Sequence, residues 1–248
     1  MLLQKGAFLM VKTNNTPQKQ VHSLFDRVAP KYDQMNNLIT LGLHRHWRAE
    51  TIKKLNVKKG DFALDLCCGT GDLTLDLAQS VGPSGHVVAL DLSTEMLKLA
   101  KKKIRAARLA DRVTFVAGDS MQLPFETNYF DLVTIGFGLR NVPDADQVLG
   151  EMVRVLRPGG QAACLETSQP QQPLIRLGWE GYFHIVPLMA KLTGSRYQDY
   201  DYLQKTTKAF VSVQKLAEMF AAAGLDKVQY SLFTFGAGAL HIGRKHFK

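Results

Sequence analysis

The sequence predicts an α/β fold, a doubly wound and mostly parallel sheet of seven strands closed by an antiparallel C-terminal hairpin. Apolar runs of five to seven residues alternate with amphipathic stretches from about residue 62 to 166, the pattern of repeated βαβ units. A Gly-x-Gly turn, Gly69-Thr70-Gly71, follows the first of these runs. Two further strands close the chain, separated only by Phe235-Gly236-Ala237-Gly238, a gap short enough for a hairpin.

Five strands are expected in the first part, at Phe62–Cys67, His86–Asp91, Val113–Ala117, Phe130–Gly136 and Gly160–Glu166. Between them Leu73–Gln79, Thr94–Arg108 and Asp144–Leu156 have helical periodicity, and Arg157-Pro158-Gly159-Gly160 reads as a stop before the fifth strand. In a doubly wound sheet the ligand site lies beyond the carboxyl ends of the strands. After Pro170 the alternation lapses for about forty residues, which hold Trp179, Tyr182, Phe183, Tyr197, Tyr200, Tyr202 and Phe210. So long a structureless loop is uncommon, and residues 171–211 read as a helical insertion packed over the site. A helix near Val213–Ala223 with a Gly224 cap then leads to strands Lys227–Thr234 and Ala239–Lys245. Residues 1–20 read as a polar tail with Met10 as an alternative start, and 21–248 as one domain whose first part, about 21–58, is a helical cap.

With 248 residues, 46% hydrophobic and 21% charged, general disorder and a disulfide scaffold are excluded. No apolar run reaches the roughly 18–20 residues of a spanning helix. Cys67, Cys68 and Cys164 include no metal-ligand spacing, so no metal is expected, and they read as small buried residues of a reducing, cytoplasmic compartment. The charge of +9 is uneven: residues 1–60 carry eleven Lys/Arg against three acids, and residues 201–248 seven against three. Basic ends suit nucleic acid, anionic lipid or an acidic substrate. Lys101-Lys102-Lys103 reads as a solvated helix face.

Gly69 and Gly71 let the backbone turn tightly at a helix N-terminus with free N–H groups. Asp91, twenty residues beyond Gly71, is placed to accept from a ribose diol. A dinucleotide site wants a small residue where Thr74 stands, and Asp72 opposes phosphate at the helix start. Asp65, Asp72, Asp91 and Asp119 are expected to gather at the carboxyl edge, a field for a cationic ligand such as a sulfonium.

Asp65 through Asp72 resemble the first motif of the class I S-adenosylmethionine-dependent methyltransferases, whose fold is Rossmann-like. Other segments are similar to one family of that class, the ubiquinone/menaquinone C-methyltransferases. They are Phe25-Asp26-Arg27-Val28-Ala29-Pro30-Lys31-Tyr32-Asp33-Gln34-Met35-Asn36, Gly42-Leu43-His44-Arg45-His46-Trp47-Arg48 and Leu123-Pro124-Phe125. The most specific are Phe137-Gly138-Leu139-Arg140-Asn141-Val142 and Arg154-Val155-Leu156-Arg157-Pro158-Gly159-Gly160. The resemblance spans about Val21 to Lys245 and is tightest in the first 170 residues.

What it implies is methyl transfer from S-adenosyl-L-methionine to a ring carbon of a demethylated polyprenyl quinol, the last step of menaquinone synthesis. By position, Gly69, Thr70 and Gly71 would contact the methionine part, Asp91 with Leu92 the ribose, and Asp119 with Ser120 the adenine, with Asp65 and Gly136 completing the cofactor set. Gly136 stands where the family often has Ser. Tyr200 and Tyr202 fall in a segment like the family's Tyr-x-Tyr-Leu, flanked by departures at Asp199 and Lys205, and His241 also matches a family position. These three are assigned to substrate.

Carbon methylation needs an electron-rich ring carbon in line with the methyl and its leaving sulfur. Arg140 and Asn141, just past the fourth strand, are where a cation and an amide stabilise a quinol oxyanion. Tyr32 and Asp33 are further candidates, for orientation or as general base. The aromatic insertion suits a prenyl tail, and the basic ends suit docking on anionic lipid at the inner face of the cell membrane. A homodimer is a further expectation. Three alternatives stay open: a same-fold methyltransferase with another small acceptor, an RNA methyltransferase or RNA-binding protein, and a catalytically idle adenosine-binding module in which Arg140 and Asn141 are dispensable. The aromatic cluster carries few positive charges, so nucleic acid is not the expected partner.

Overall fold

Each apolar run between Phe62 and Glu166 forms a strand: β1 (Phe62–Leu66), β2 (His86–Asp91), β3 (Val113–Ala117), β4 (Phe130–Gly136) and β5 (Leu156–Thr167). With β6 (Leu225–Phe233) and β7 (Gly238–Lys245) they make one sheet in the order β3-β2-β1-β4-β5-β7-β6. The structure is a computed structural model describing residues 13–192 and 197–247. Met1, Met10 and the rest of the first twelve residues of the expected tail lie outside the described residues, as do the side chains of Phe183 and Tyr197.

Strands β1 to β5 are mutually parallel, with Leu64 opposite both Val88 on β2 and Val133 on β4. Chain order reverses between β1 and β4, which opens a crevice at their carboxyl ends. The antiparallel strand is β7, inserted between β5 and β6, so the edge strand β6 runs parallel to the rest. Burial explains the exchange: Ala239, Leu240 and His241 of β7 are buried, whereas β6 exposes Tyr230 and Leu232 and suits an edge. Arg157-Pro158-Gly159-Gly160 is not a stop ahead of the strand. β5 starts at Leu156 and carries these residues as a bulge, with Gly159 at φ +77°.

Helices α4 (Asp72–Ser80), α5 (Thr94–Ala106) and α6 (Ala145–Val155) follow β1, β2 and β4. Ser93 and Asp144 cap the last two, accepting from the N–H groups of Met96 and Gln147. α9 (Val213–Ala222) packs on β6, and its Leu216 and Phe220 join one face of the sheet with α6. The other face is covered by α4, α5 and α3 (His44–Leu55), whose Trp47 stacks on Phe233 with ring centroids 6.2 Å apart.

Helices α1 (Gln18–Val28) and α2 (Tyr32–Thr40) precede α3. α1 starts inside the stretch read as a tail, because Pro17 opens a helix whose Gln20 N–H reaches the Pro17 carbonyl at 2.8 Å. The aromatic segment forms α7 (Pro173–Leu192) and α8 (Tyr197–Ala209). Leu24, Val28 and Met35 meet Val186, Tyr200 and Leu203 there in a small third core with Met96.

One acid sits inside the framework. Asp65 on β1 is 1% exposed and accepts from Thr74 on α4 at 2.6 Å and from Thr134 on β4 at 2.9 Å. Thr74 stands where a dinucleotide site would have glycine because its hydroxyl anchors Asp65. Burial raises the Asp65 carboxyl to about 7, against the two threonine hydrogen bonds that lower it. The folded chain thus keeps a proton that the unfolded chain has already lost, and stability falls as pH rises from about 4 to about 7. Replacing Asp65 by Asn removes this slope. Urea unfolding at pH 5, 6 and 7 should show Asp65→Asn gaining on the wild type by up to about 1.4 kcal/mol per pH unit, and parallel curves would contradict the assignment.

Candidate active site

The crevice is built from the turn after β1. Gly71 takes φ +82°, and a Cβ there would stand 2.9 Å from the Cβ of Ala100 on α5, so only glycine fits. The Gly69 N–H donates to Asp91 Oδ2 at 2.8 Å, and the Cys68 N–H to the Leu90 carbonyl, which locks the turn to the end of β2. Ser93 N–H donates to Asp91 Oδ1 at 2.8 Å. Burial raises the Asp91 carboxyl and these two backbone donors pull it back. Each of its oxygens keeps acceptor capacity for a further donor.

Beside this turn lies a cleft of about 720 Å³. Asp91, Leu92, Asp119, Ser120 and Gly69 form its floor, and Phe137 with Asn141 one wall. α1 and Tyr32 roof it: Gln18 Nε2 donates to Asp119 Oδ2 at 2.8 Å, and Ser93 Oγ to Asp26 Oδ1 at 2.5 Å. Asp119 Oδ1 accepts from the Met121 N–H. Burial pushes the Cys67 thiol up, so it faces the cleft protonated. Two carboxylates and, among the described residues, no lysine or arginine line the cleft. A cation fits that field and a diphosphate does not.

Two of the four acids expected here are elsewhere. Asp65 points into the core, and Asp72 is paired with Arg48 at 3.1 Å and with Lys103. Burial alone would raise the Asp72 carboxyl, but Arg48 and Lys103 outweigh it and hold it below the usual range. Thr70 donates to Asp33 Oδ1 at 2.5 Å and accepts from Lys103 Nζ at 3.2 Å, and Lys103 also reaches Asp33 Oδ2 at 3.0 Å. Asp33 therefore lines neither this cleft nor the next cavity; its place as a base is corrected to one of holding the turn against α2. Gly136 also stands off the cleft, and a Cβ there would meet Leu73 on α4 at 3.2 Å.

Phe137 separates the cleft from a second cavity of about 470 Å³, lined by Arg140, Tyr200, His44 and Thr167 among others. Arg140 is 6% exposed. Its Nη1 donates to the Phe137 carbonyl at 2.8 Å and to Glu166 Oε1, while its backbone N–H meets Glu166 Oε2. Glu166 also accepts from the backbone and hydroxyl of Thr167. Arg140 Nε has no partner, nor does Asn141 Oδ1 on the cleft side of the same loop. Both are buried polar atoms that call for a ligand.

Tyr32 is held protonated by burial, against the nearby Arg140. Burial and Arg48 bring His44 down to about 4. Neutral His44 accepts from Arg48 at Nδ1 and donates to Asn37 at Nε2, so it offers no free base. Tyr202 lines neither cavity: its hydroxyl accepts from Asn14 Nδ2 at 2.9 Å, and Asn14 also donates to the Asn141 carbonyl. His241 is a core residue and not a substrate contact, since its Nε2 meets the Val213 carbonyl at 2.8 Å between the rings of Phe220 and Tyr230.

A third cavity of about 750 Å³ shares Ile39, Thr40 and Thr167 with the second. Its other walls are mostly apolar, including Leu41, Trp47, Ile175, Trp179 and Phe235.

Asn14, Gln18, Lys103 and Glu166 were not singled out by sequence reasoning. Glu166 had a signal, a charge ending the apolar run Ala162-Ala163-Cys164-Leu165. The Lys101-Lys102-Lys103 run concealed Lys103, and Asn14 and Gln18 act through contacts more than a hundred residues away.

Solved structures of similar fold include a SAM-dependent methyltransferase from Aquifex aeolicus, with TM-score 0.60, 16% identity, 93% of this chain and 99% of that one. A putative S-adenosyl-L-methionine-dependent methyltransferase from Methanococcus maripaludis gives TM-score 0.65 at 20% identity, covering 90% and 94%. Among sequence relatives, the demethylmenaquinone methyltransferase of Lactobacillus johnsonii is 57% identical over 236 residues, 95% of this chain and 97% of that protein. That of Lactiplantibacillus plantarum is 52% identical over 92% of this chain and 97% of its own. Residues 12–245 match the ubiE/COQ5 methyltransferase family, and with relatives this similar along almost its whole length the chain belongs to that family.

Proposed function

We propose that this chain methylates demethylmenaquinol at a ring carbon with S-adenosyl-L-methionine as methyl donor. The observation that carries the reading is a row of three neighbouring cavities, the first two sharing Phe137 and the last two Ile39, Thr40 and Thr167: an anionic cleft, a pocket with a buried guanidinium, and an apolar groove. A sulfonium nucleoside, a quinol ring and a prenyl tail need those three environments in that order. Relatives at 47–57% identity bearing the name demethylmenaquinone methyltransferase support the choice of acceptor.

S-adenosyl-L-methionine supplies an electrophilic methyl carried on sulfur. For it, Asp91 is the acceptor for the ribose hydroxyls, and Asp119 for the adenine amine, a place that Gln18 Nε2 holds in this structure. The Gly69–Gly71 turn leaves backbone N–H groups at the start of α4 for the methionine carboxylate. On the other side of Phe137, Arg140 would stabilise the quinol oxygen as its proton passes to solvent, which raises electron density at the adjacent carbon; once that carbon has taken the methyl it loses its own proton to solvent and the ring regains its aromaticity. Asn141 Oδ1 and the Tyr32 phenol, both on the cleft side of Phe137, would orient the methyl-bearing end of the cofactor. Glu166 and Thr167 position Arg140.

No helix among the described residues is long and apolar enough to cross a membrane. The three cysteines are free thiols, two of them buried, which supports a cytoplasmic protein working at the inner face of the membrane where its acceptor resides.

Incubation with deuteromethyl-labelled cofactor and demethylmenaquinol should yield menaquinol carrying the intact labelled methyl on the ring. A chain that binds the cofactor and leaves this acceptor unchanged would refute the reading. In calorimetric titration Asp91→Asn should weaken S-adenosylmethionine by about 10–100-fold, the loss of a charged acceptor worth about 1.5–3 kcal/mol. Lys103→Met, which leaves Asp33 with no lysine partner and Asp72 with Arg48 alone beside Thr70, should raise the KM for the cofactor by about 3–10-fold while the KM for the quinol stays put. Equal rises in both would place Lys103 in general stability instead.

A further inference from the structure

Four of the five most exposed large apolar side chains gather in one region, while the fifth, Phe247 (68%), lies apart beside Gly159. Leu41 (68%) follows α2, Phe235 (76%) sits in the β6–β7 turn, and Leu174 (85%) and Leu177 (68%) lie on α7. Leu41 and Phe235 line the apolar groove itself, and so does Ile175, next to Leu174. Three segments far apart in sequence thus converge on one rim. On α7 the residues Leu174, Leu177, Gly181 and Ile185 form an outward stripe, while Ile175, Trp179, Tyr182 and Val186 form the neighbouring stripe that lines the groove and the pocket behind it. The polar pair Arg176 and Glu180 is kept to a third side of the helix, at 2.9 Å.

The backbone points the same way. Leu41 has φ +51° and Phe235 φ +57°, a conformation that bulky side chains rarely adopt. The strained turn at Phe235 is anchored, since Trp47 Nε1 donates to Thr234 Oγ1 at 3.1 Å. A fold that holds two large apolar residues out in water, in a disfavoured conformation, at the open end of a groove, does so for function. Two exposed cationic residues neighbour the rim along the chain or through the backbone: Arg45 follows the groove residue Leu43 by two positions, and the Lys208 carbonyl accepts from Gln169, next to the groove residue Pro170.

We infer that this rim is a docking surface for an anionic lipid bilayer: Leu41, Phe235, Leu174 and Leu177 enter the interface, Arg45 and Lys208 meet the headgroups, and the groove opens directly into the lipid. The inference rests on the reading of the acceptor as a prenylated quinol, whose tail then passes from bilayer to groove without crossing water. α7 lies along the surface as an interfacial helix. The expected role of the basic ends narrows to the two cations beside the rim.

The test is cosedimentation of the full chain with vesicles of phosphatidylcholine and phosphatidylglycerol, for wild type and for the double variant Leu174→Glu, Leu177→Glu, whose side chains line no cavity. Wild type should sediment with the vesicles, and the double variant should lose about tenfold or more of that binding. Activity on a short-tailed, water-soluble demethylmenaquinol should be equal in both proteins, and activity on long-tailed quinol held in the vesicles should fall with binding. A wild type left in the supernatant, or a double variant that sediments equally, overturns the docking surface. Failure of both proteins on the short-tailed acceptor strikes instead at the functional reading. Brominated lipid gives a readout that needs no variant: it should quench Trp179 in the groove wall, and unquenched tryptophan emission in the presence of vesicles overturns the proposal.

Discussion

A guanidinium 6% exposed at the end of a β-sheet must have a counter-charge, and the Arg140–Glu166 pair is the constraint on which the site depends. Glu166 is the buried penultimate residue of β5, next to β4, and its carboxylate takes two donors from Arg140 and two from Thr167. Breaking such a buried pair by removing one partner typically costs about 3–5 kcal/mol. The pair fixes the Phe137–Asn141 loop at the crevice between β1 and β4. That loop is the wall shared by the anionic cleft and the quinol pocket, so its position sets how closely the sulfonium methyl and the ring carbon can approach.

The wall also separates charges of opposite sign. Asp91 and Asp119 lie on one side with, among the described residues, no lysine or arginine lining the cleft, and Arg140 lies on the other with Glu166 behind it. A cationic donor and an anionic acceptor are therefore each met by the opposite charge, and neither site attracts the other's ligand. Lys103 serves this arrangement from a distance. It pairs with Asp33 and, together with Arg48, with Asp72, which binds α2 to the glycine turn.

The framework was legible in the sequence where an apolar run is bounded by turn residues. β2 and β4 match their expected ends because each is a buried central strand with a polar or glycine boundary, and the half-exposed edge strand β3 matches because Arg112 and Gly118 bound its short apolar run. Arg157–Gly160 misled because proline and glycine serve a bulge as well as a stop, and only pairing with β4 tells them apart. At the site, Asp91 and Asp119 were readable as carboxyl ends of β2 and β3. Asp65 was not, because strand alternation turns it onto the α4 face, where Thr74 waits for it. His241 was misread for the same reason: a strand position does not reveal which face carries the ligand. The roof contacts of Asn14 and Gln18 depend on how the chain start returns across the sheet, and no local pattern encodes that.

The pH dependence of the single-turnover methyl-transfer rate in Arg140→Lys tests the central claim most directly. Lysine keeps a charge for Glu166 but has no Nε donor for the quinol oxygen, so the bound quinol should ionise at higher pH. The account predicts a variant whose rate reaches its plateau about one pH unit or more above the wild type, with cofactor affinity unchanged. A profile of the same shape and midpoint, merely lower at every pH, would contradict it and leave Arg140 as a structural partner of Glu166 alone.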